Sequence, residues 1–568
     1  PREFTPEDAA RAVARLKDAD LLTVIREAWA RDEWEALRPV AYSVRGQARL
    51  ALGQADAGLA DLSEAIRLRP KDAAFRLERA KALGLRYHYP AALEDYRTAS
   101  RLAPDNAIIH LLAATTAIVL QDHAAVLEHA AAAARLKSDD PDVLTQAADL
   151  YLKAGDATRA LELFTRAARS QPTQADAITG QILANLALKQ TAPVPELLTR
   201  AESAGLPKEQ VHHLRARMLL AQGNADGAME SLRAALAVNP KFVQARLERS
   251  EIRRARRDPL GADRDLERAL EEEPRSVDLL IDRAWLQLES IDDRVAIELA
   301  KRAREIDPDH PKVLYFDALF ALEGRDWSGG TARLNRLLQT GVYSESLLRM
   351  LRATASLEAG DIAAARADIG WIQSHDPYES YIASLQACCE LALGDLDSAI
   401  TTLEEAHRRS PEGWLGLELA LCQWKAGRVE EASKTLQPVR AEMGHLALAW
   451  ELHIRGLGTS EEARAALSSD ERLALSETNQ YVLHYERGVI LGSPLRDPHA
   501  NMFKPGRRDR EADEPIEHAL LLSAARAIEA GNLKQARSFL EAAVTYTSAT
   551  KIVRHLAARW LAELDAGR

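Results

Sequence analysis

The sequence predicts an all-α solenoid, in which hairpins of two antiparallel helices stack side by side along the chain. The clearest hairpin is residues 141–172, where apolar and small residues fall at helical spacing twice. The segment from Lys153 to Asp156 separates the two runs and is the expected turn. Neither helix can bury its apolar face alone, so the hairpin needs copies of itself on both sides.

Prolines support this prediction, because they recur at a regular spacing of about 34 residues. A proline ends one helix and sets the backbone for the start of the next, so this spacing predicts one hairpin per interval. Asp140-Pro141 and Ser410-Pro411 each combine an N-cap residue with a proline, which predicts helices that begin at these two prolines. Equal intervals separate Pro70 from Pro104, Pro240 from Pro274, Pro274 from Pro308, and Pro377 from Pro411.

The period and the spacing of small residues resemble the tetratricopeptide repeat, with about 13 copies over most of the chain. The resemblance implies a right-handed superhelix with terminal capping helices. It also implies that the first helix of each repeat lines a concave groove, which holds an extended peptide or a partner helix. In residues 141–172 the characteristic positions are Leu144, Ala147, Ala148, Tyr151, Ala160, Phe164, Ala167 and Pro172.

We divide the chain into four regions on this pattern. Residues 1–37 are expected to form N-terminal capping helices, with residues 1–4 as a candidate cloning remnant. The repeat array is expected over 38–480, with degenerate copies near 173–206, 309–341 and 445–480. An irregular connection follows over 481–515, and its long loop, 492–515, is expected to be either functional or disordered. Residues 516–568 are expected to form a last hairpin and a C-terminal capping helix.

A recurrent arginine precedes the first small residue in six copies, and in four of them an aspartate follows it at one fixed spacing. This co-occurrence predicts a partly buried, bidentate ion pair between the two helices of a hairpin. A basic ladder lining the groove is the alternative interpretation. The four predicted pairs are Arg45 with Asp61, Arg79 with Asp95, Arg249 with Asp265, and Arg352 with Asp368.

Partner-binding residues are sought on the first helices. Two groove types of the resembled family place an asparagine just before the recurrent arginine, and this sequence has none there, so it supports neither type. We predict an apolar stretch and an aromatic stretch suited to anchoring a partner side chain. The basic run around Arg254 is a candidate site for a phosphate or an acidic peptide, but a solvated helix end is the favoured interpretation of it. Each aromatic residue is equally compatible with the core between repeats. The candidates are Leu111, Thr115, His213, Arg217, Arg254, Trp285, Tyr315, Phe316 and Met350.

Several other kinds of function find no support in the sequence. The net charge of −11 argues against non-specific nucleic-acid binding, and no apolar run approaches the ~20 residues of a membrane span. No phosphate-binding glycine loop, HExxH motif or CxxC pair is present, so we expect no catalytic residue, no metal and no cofactor. Cys388, Cys389 and Cys422 form no disulfide framework and favour a reducing compartment. We therefore expect a cytoplasmic location, with the periplasm as an open alternative.

The resemblance implies a protein–protein interaction scaffold or adaptor rather than an enzyme. One alternative is a regulatory subunit, or regulatory half, of a protease, kinase or transferase whose catalytic domain lies elsewhere. A further alternative is an envelope assembly factor.

Overall fold

The computed structural model describes residues 31–375, 380–439, 521, 524–525, 527–528, 531–545 and 551–566. Their regular structure is entirely helical, which confirms the predicted all-α solenoid. Residues 429–439 are helical as well. The other helices, in chain order, are α1 (Arg31–Ala51), α2 (Ala55–Leu68), α3 (Ala73–Leu85), α4 (Tyr89–Leu102), α5 (Ala107–Val119), α6 (His123–Leu136), α7 (Pro141–Lys153), α8 (Ala157–Ser170), α9 (Ala175–Ala187), α10 (Val194–Ser203), α11 (Lys208–Ala221), α12 (Ala225–Val238), α13 (Val243–Ala255), α14 (Pro259–Glu272), α15 (Val277–Ser290), α16 (Asp293–Ile306), α17 (Pro311–Glu323), α18 (Trp327–Thr340), α19 (Glu345–Glu358), α20 (Ile362–His375), α21 (Ser380–Ala392), α22 (Leu396–Arg409), α23 (Gly413–Lys425), α24 (Leu533–Thr545) and α25 (Lys551–Asp565).

The hairpin α7/α8 shows why the sequence folds this way. The Asp140 side chain accepts hydrogen bonds from the backbone N–H groups of Asp142 (3.0 Å) and Val143 (3.2 Å), so α7 begins at Pro141 as predicted. The turn passes through Gly155, whose φ of +87° lies in the left-handed region that glycine occupies without a steric cost. The predicted start at Pro411 is wrong. Helix α23 begins at Gly413 with Glu412 as its N-cap, because Ser410 ends the preceding helix.

The core consists of small residues on facing helices with larger side chains between them. In the hairpin α7/α8, the four alanines Ala147, Ala148, Ala160 and Ala167 are fully buried. Phe164 of α8 lies so close to Gly180 of α9 that a Cβ atom on the glycine would be 2.1 Å from its ring. This close approach continues the core from one hairpin to the next, as one apolar cluster extends from α3 to α9.

Consecutive first helices contact each other directly in the pairs α1–α3, α5–α7, α7–α9 and α9–α11. The first helices therefore form a layer of their own, and the turns at their ends lead to the second helices. The described residues divide into two compact units, one containing residues up to 319 with 332–345, and the other 320–331 with the chain from 346 onward.

The predicted regions compare with these elements as follows. Helix α1 continues through the predicted boundary between residues 37 and 38, with Pro39 inside it. The degenerate copies near 173–206 and 309–341 contain the hairpins α9/α10 and α17/α18, and α10 has only 10 residues. Residues 1–30, the copy near 445–480 and the connection 481–515 with its loop lie outside the described residues.

In the second unit, the core contains Cys388, Cys389 and Cys422 and also the C-terminal helices. Trp560 of α25 meets Trp424 of α23 edge to face at 5.3 Å, and Lys425 forms a 2.6 Å ion pair with Glu563. Helix α25 thus covers apolar surface of this unit. None of the helices in the described ranges combines the length and the apolar character that a membrane span requires.

Candidate functional site

The four predicted arginine–aspartate pairs each lie between the two helices of one hairpin. Arg45 donates from Nε (2.7 Å) and Nη2 (2.5 Å) to the two carboxylate oxygens of Asp61, which is 4% exposed. The pairs Arg79–Asp95, Arg249–Asp265 and Arg352–Asp368 have the same two-pronged geometry, and their carboxylates are buried too. These guanidinium groups are thus engaged inside the hairpins.

Each of these aspartates also has a second arginine partner, which the recurrent spacing does not predict. The second arginine precedes the aspartate by 12 residues in two hairpins and by 19 in the other two, so no single spacing reveals it. Each cluster thus has two arginines and one aspartate, and its formal charge is +1. The two arginines offset the free-energy cost of removing the buried carboxylate from water. The second partners are Arg49 on Asp61 (2.9 Å), Arg76 on Asp95 (3.2 Å), Arg253 on Asp265 (3.0 Å) and Arg349 on Asp368 (2.9 Å).

Two copies that lack the recurrent spacing of arginine and aspartate form ion pairs between hairpins instead. Arg283 of α15 donates to Asp263 of α14 at 2.7 and 3.1 Å. In the next copy an aspartate, Asp317, replaces the recurrent arginine and receives two hydrogen bonds from Arg304 of α16 at 2.7 and 2.5 Å. The sequence contains a signal for this change, because Asp317 has the opposite charge to the arginine that occupies the equivalent position in other copies.

Four of the candidate partner-binding residues differ in their surroundings. Leu111 belongs to the buried core, whereas Thr115 is exposed and donates to the Leu111 carbonyl at 2.8 Å. Arg254 is exposed near the end of α13. Met350 belongs to the second unit and packs against its core.

His213 and Arg217 share one acceptor. The His213 Nε2 atom lies 2.7 Å from a carboxylate oxygen of Glu248, and the Arg217 Nε atom lies 3.8 Å from the other. The His213 ring also meets Phe242 edge to face at 5.6 Å. These contacts join α11 to α13 along the layer of first helices.

The remaining candidates form an aromatic cluster. Trp285 of α15 meets Phe316 edge to face at 4.8 Å and Tyr315 at 6.4 Å, both on α17. Tyr315 stacks on Tyr343 at 4.5 Å with an angle of 15° between the rings. Phe316 is buried, while the other three rings are partly exposed. Tyr343 is not among the predicted candidates, because it lies in the connection before α19 and not on a first helix.

Two carboxylates border the aromatic cluster. Asp278, Asp282 and Trp285 follow one another at helical spacing, and the Asp278 and Asp282 side chains are 60% and 45% exposed. The Lys312 ammonium lies between them, 3.0 Å from Asp278 and 2.9 Å from Asp282. Burial lowers the pKa of Lys312, but the hydrogen bonds to Asp282 and Asp278 outweigh this effect and raise it overall.

Tyr87, which is far away in the sequence, contacts residues next to the aromatic cluster. The Tyr87 hydroxyl, in the turn between α3 and α4, donates to Asp307 at 2.6 Å across 220 residues of sequence. The Tyr87 ring also meets His310 edge to face at 5.3 Å. Burial, and next the bond to Asp307, raise the pKa of Tyr87, so its phenol stays protonated.

A second contact also joins these two parts of the chain, which are far apart in the sequence: the backbone of Gly341 lies against Leu120 and Pro90. A Cβ atom on Gly341 would be 2.5 Å from Leu120, and the φ of this glycine is +67°. Stacking of neighbours alone does not predict these contacts, so the first unit is more closed than the repeat pattern implies. We call the group formed here the seam site: Tyr87, Asp278, Asp282, Trp285, Lys312, Tyr315 and Tyr343.

The seam site and its immediate surroundings have a negative formal charge. Burial lowers the pKa of His310, so its imidazole is neutral at pH 7. The carboxylates of Asp278, Asp282 and Asp307 therefore face one cation, Lys312, which leaves two negative charges in excess. Over the described ranges no group of three metal-ligating side chains occurs.

Family models of the tetratricopeptide repeat match residues 145–192, 209–242 and 390–453. These three segments of the chain are tetratricopeptide repeats. Among solved structures, this repeat protein is similar to yeast Tom70, with 14% identity and a TM-score of 0.33 over 73% of this chain and 98% of that chain. It is also similar to the APC/C hetero-tetramer Cut9-Hcn1, with 12% identity and a TM-score of 0.34 over 71% and 96%. A third similar structure is Naa15/Naa10 bound to HypK-THB, with 15% identity and a TM-score of 0.31 over 99% of this chain and 96% of that chain. No curated protein matches the sequence.

Proposed function

We propose that this tetratricopeptide repeat protein is a scaffold that binds an extended peptide or a partner helix at the seam site of its first unit. The observation that carries the proposal is the set of three partly exposed rings, Trp285, Tyr315 and Tyr343, beside two half-exposed carboxylates. Aromatic side chains in a packed, partly desolvated position supply most of the binding energy in many protein interfaces.

The rings are also held in place before a partner arrives. Tyr315 is held by its stack with Tyr343, and Trp285 by its edge-to-face contact with the buried Phe316. Side chains that are already ordered lose little conformational entropy on binding, so more of the contact energy contributes to affinity. Trp285 and Tyr315 lie on first helices, which form the layer that the family resemblance assigns to partners.

The test is selection of a displayed random peptide library on the immobilised full chain, followed by calorimetry with the enriched peptides. We expect a common sequence pattern among these peptides, and a loss of affinity of at least about tenfold, ~1.4 kcal/mol, for Trp285→Ala. Tyr343→Ala provides a second variant outside the helices, and circular dichroism checks that both variants are folded.

Leu260→Ala is the matched control, because Leu260 is an exposed apolar residue of the same unit on a second helix, α14. Its affinity for the enriched peptides should equal that of the wild-type chain. The absence of any enriched pattern, or full affinity in both folded seam-site variants, would contradict the proposal.

A further inference from the structure

We infer that the seam site recognises a basic side chain, lysine or arginine, of the partner peptide. The cation would lie between Asp278 and Asp282, with its aliphatic stem along the rings of Trp285, Tyr315 and Tyr343. This inference rests on the proposed function and adds the chemical class of the ligand to it.

The charge of the site is the first argument. Among the described residues, the two carboxylates of the site and the neighbouring Asp307 exceed the one cation, Lys312, by two negative charges. The Asp278 and Asp282 side chains remain about half exposed to solvent. Within the described residues, Lys312 is the only side chain that donates a hydrogen bond to either carboxylate, and it contacts one oxygen of each. The remaining acceptor capacity suits a second cation, whereas an acidic peptide would face like charges.

Lys312 supplies the second argument, since it occupies the position that an incoming cation would take. Its ammonium is within 3.0 Å of both carboxylates, so the spacing of Asp278 and Asp282 already fits an amine or a guanidinium group. A ligand would share these carboxylates with Lys312 or displace it. Removal of the Lys312 charge should therefore strengthen the binding of a basic peptide.

The aromatic rings are the third argument. Tyr315 and Tyr343 are nearly parallel, and such a stack presents ring surface on which a guanidinium group can lie. The same chain uses this contact elsewhere, in its second unit. There, Arg349 lies 4.3 Å from the Trp371 ring centroid, and Lys425 lies 4.7 Å from that of Trp560. Attraction between the cation and the rings would add to that of the carboxylates.

The experiment is the peptide selection performed in parallel on four full-length chains: wild type, Asp278→Asn/Asp282→Asn, Lys312→Met and Asp226→Asn. The last is the control, because Asp226 is an exposed carboxylate of the same unit on α12, paired with Arg256. We expect lysine and arginine to be enriched at one position by wild type and by the control, but not by the Asp278→Asn/Asp282→Asn chain.

Fluorescence polarisation with the most enriched wild-type peptide then gives the magnitude. Replacement of its arginine by citrulline, or of its lysine by norleucine, should weaken binding about tenfold, and Lys312→Met should strengthen it about threefold or more. Acidic or uncharged peptides that still depend on Trp285 would overturn this inference and leave the proposed function standing. If no peptide is enriched by wild type, both fail.

Discussion

The hairpins α3/α4 and α7/α8 have the same fold but opposite chemistry at their centre. Arg76, Arg79 and Asp95 form a partly buried ion cluster in the first hairpin. The equivalent positions, two repeats later in the chain, are Leu144, Ala147 and Leu163, all buried in the apolar core. The same backbone thus accommodates either charged or apolar side chains at these three positions, provided that all three are of the same kind.

The hairpin α5/α6, which lies between them in the chain, has a third kind of contact at these positions. Here the first and third positions are His110 and His129, whose Nδ1 atoms lie 3.0 Å apart, and the second is Ala113. One ring must donate and the other accept, so the contact is a hydrogen bond between two like groups rather than an ion pair between opposite charges. At these three positions, the three consecutive hairpins therefore use an ion cluster, a hydrogen bond between two histidines, and apolar packing.

This difference teaches that the ion cluster is not required by the fold. A buried ion pair loses solvation on folding, and replacement by well-packed apolar residues is often neutral or stabilising. Removal of one partner is different, because it leaves a buried charge without compensation. The comparison therefore predicts that partial replacement is costly and complete replacement is not.

The largest effect is expected for Asp95→Ala. This change leaves Arg76 and Arg79 facing each other in a half-buried place without their carboxylate, which is 3% exposed in the hairpin. We expect a loss of ~3–5 kcal/mol in the free energy of unfolding of this hairpin. Hydrogen exchange of the α3 and α4 amides measures it locally. Protection equal to that of the wild-type chain would mean that the cluster contributes nothing.

The triple change Arg76→Leu/Arg79→Ala/Asp95→Leu transfers the apolar set of α7/α8 into α3/α4. Because no charge is left unpaired, we expect most of the loss caused by Asp95→Ala to be recovered, with a stability within ~1–2 kcal/mol of wild type or above it. The same exchange measurement applies. A triple variant as unstable as Asp95→Ala would show that the two hairpins differ in more than these three positions.

The same contrast shows what the sequence could and could not predict. The recurrent spacing between Arg79 and Asp95 identified their contact, because the hairpin geometry fixes which positions of its two helices face each other. The second arginines at spacings of 12 and 19 were missed, since a long side chain reaches the carboxylate from more than one turn of the helix.

The seam site was only half predictable. Trp285 and Tyr315 lie on first helices, so the repeat register indicated their layer and their proximity. The contact between Tyr87 and Asp307 depends on small rotations that add up over many hairpins, and a local pattern contains no information on that sum. Tyr343 lies in a connection, where the repeat makes no prediction.

The smallest effect is expected at the His110–His129 pair and depends on pH. Burial, and next the neighbouring His110, lower the pKa of His129, which is 3% exposed. The unfolded chain, with a histidine pKa of about 6.5, therefore binds more protons than the folded chain in the window below that value. The contribution of His129 to stability is complete above about pH 6.5 and declines as the pH falls below it.

Urea unfolding of wild type and of His110→Leu/His129→Leu at pH 7.5 and 5.5 isolates this contribution. The double variant carries the apolar residues that occupy these two positions in α7/α8, so the other histidines of the chain affect both proteins equally. We expect wild type to lose more stability than the double variant between the two pH values. Equal losses would mean that His129 is protonated as easily in the folded hairpin as in the unfolded chain, and that its burial there is compensated. In that case the α5/α6 hairpin would accommodate a charge as α3/α4 does, and the three hairpins would show two kinds of centre, charged and apolar.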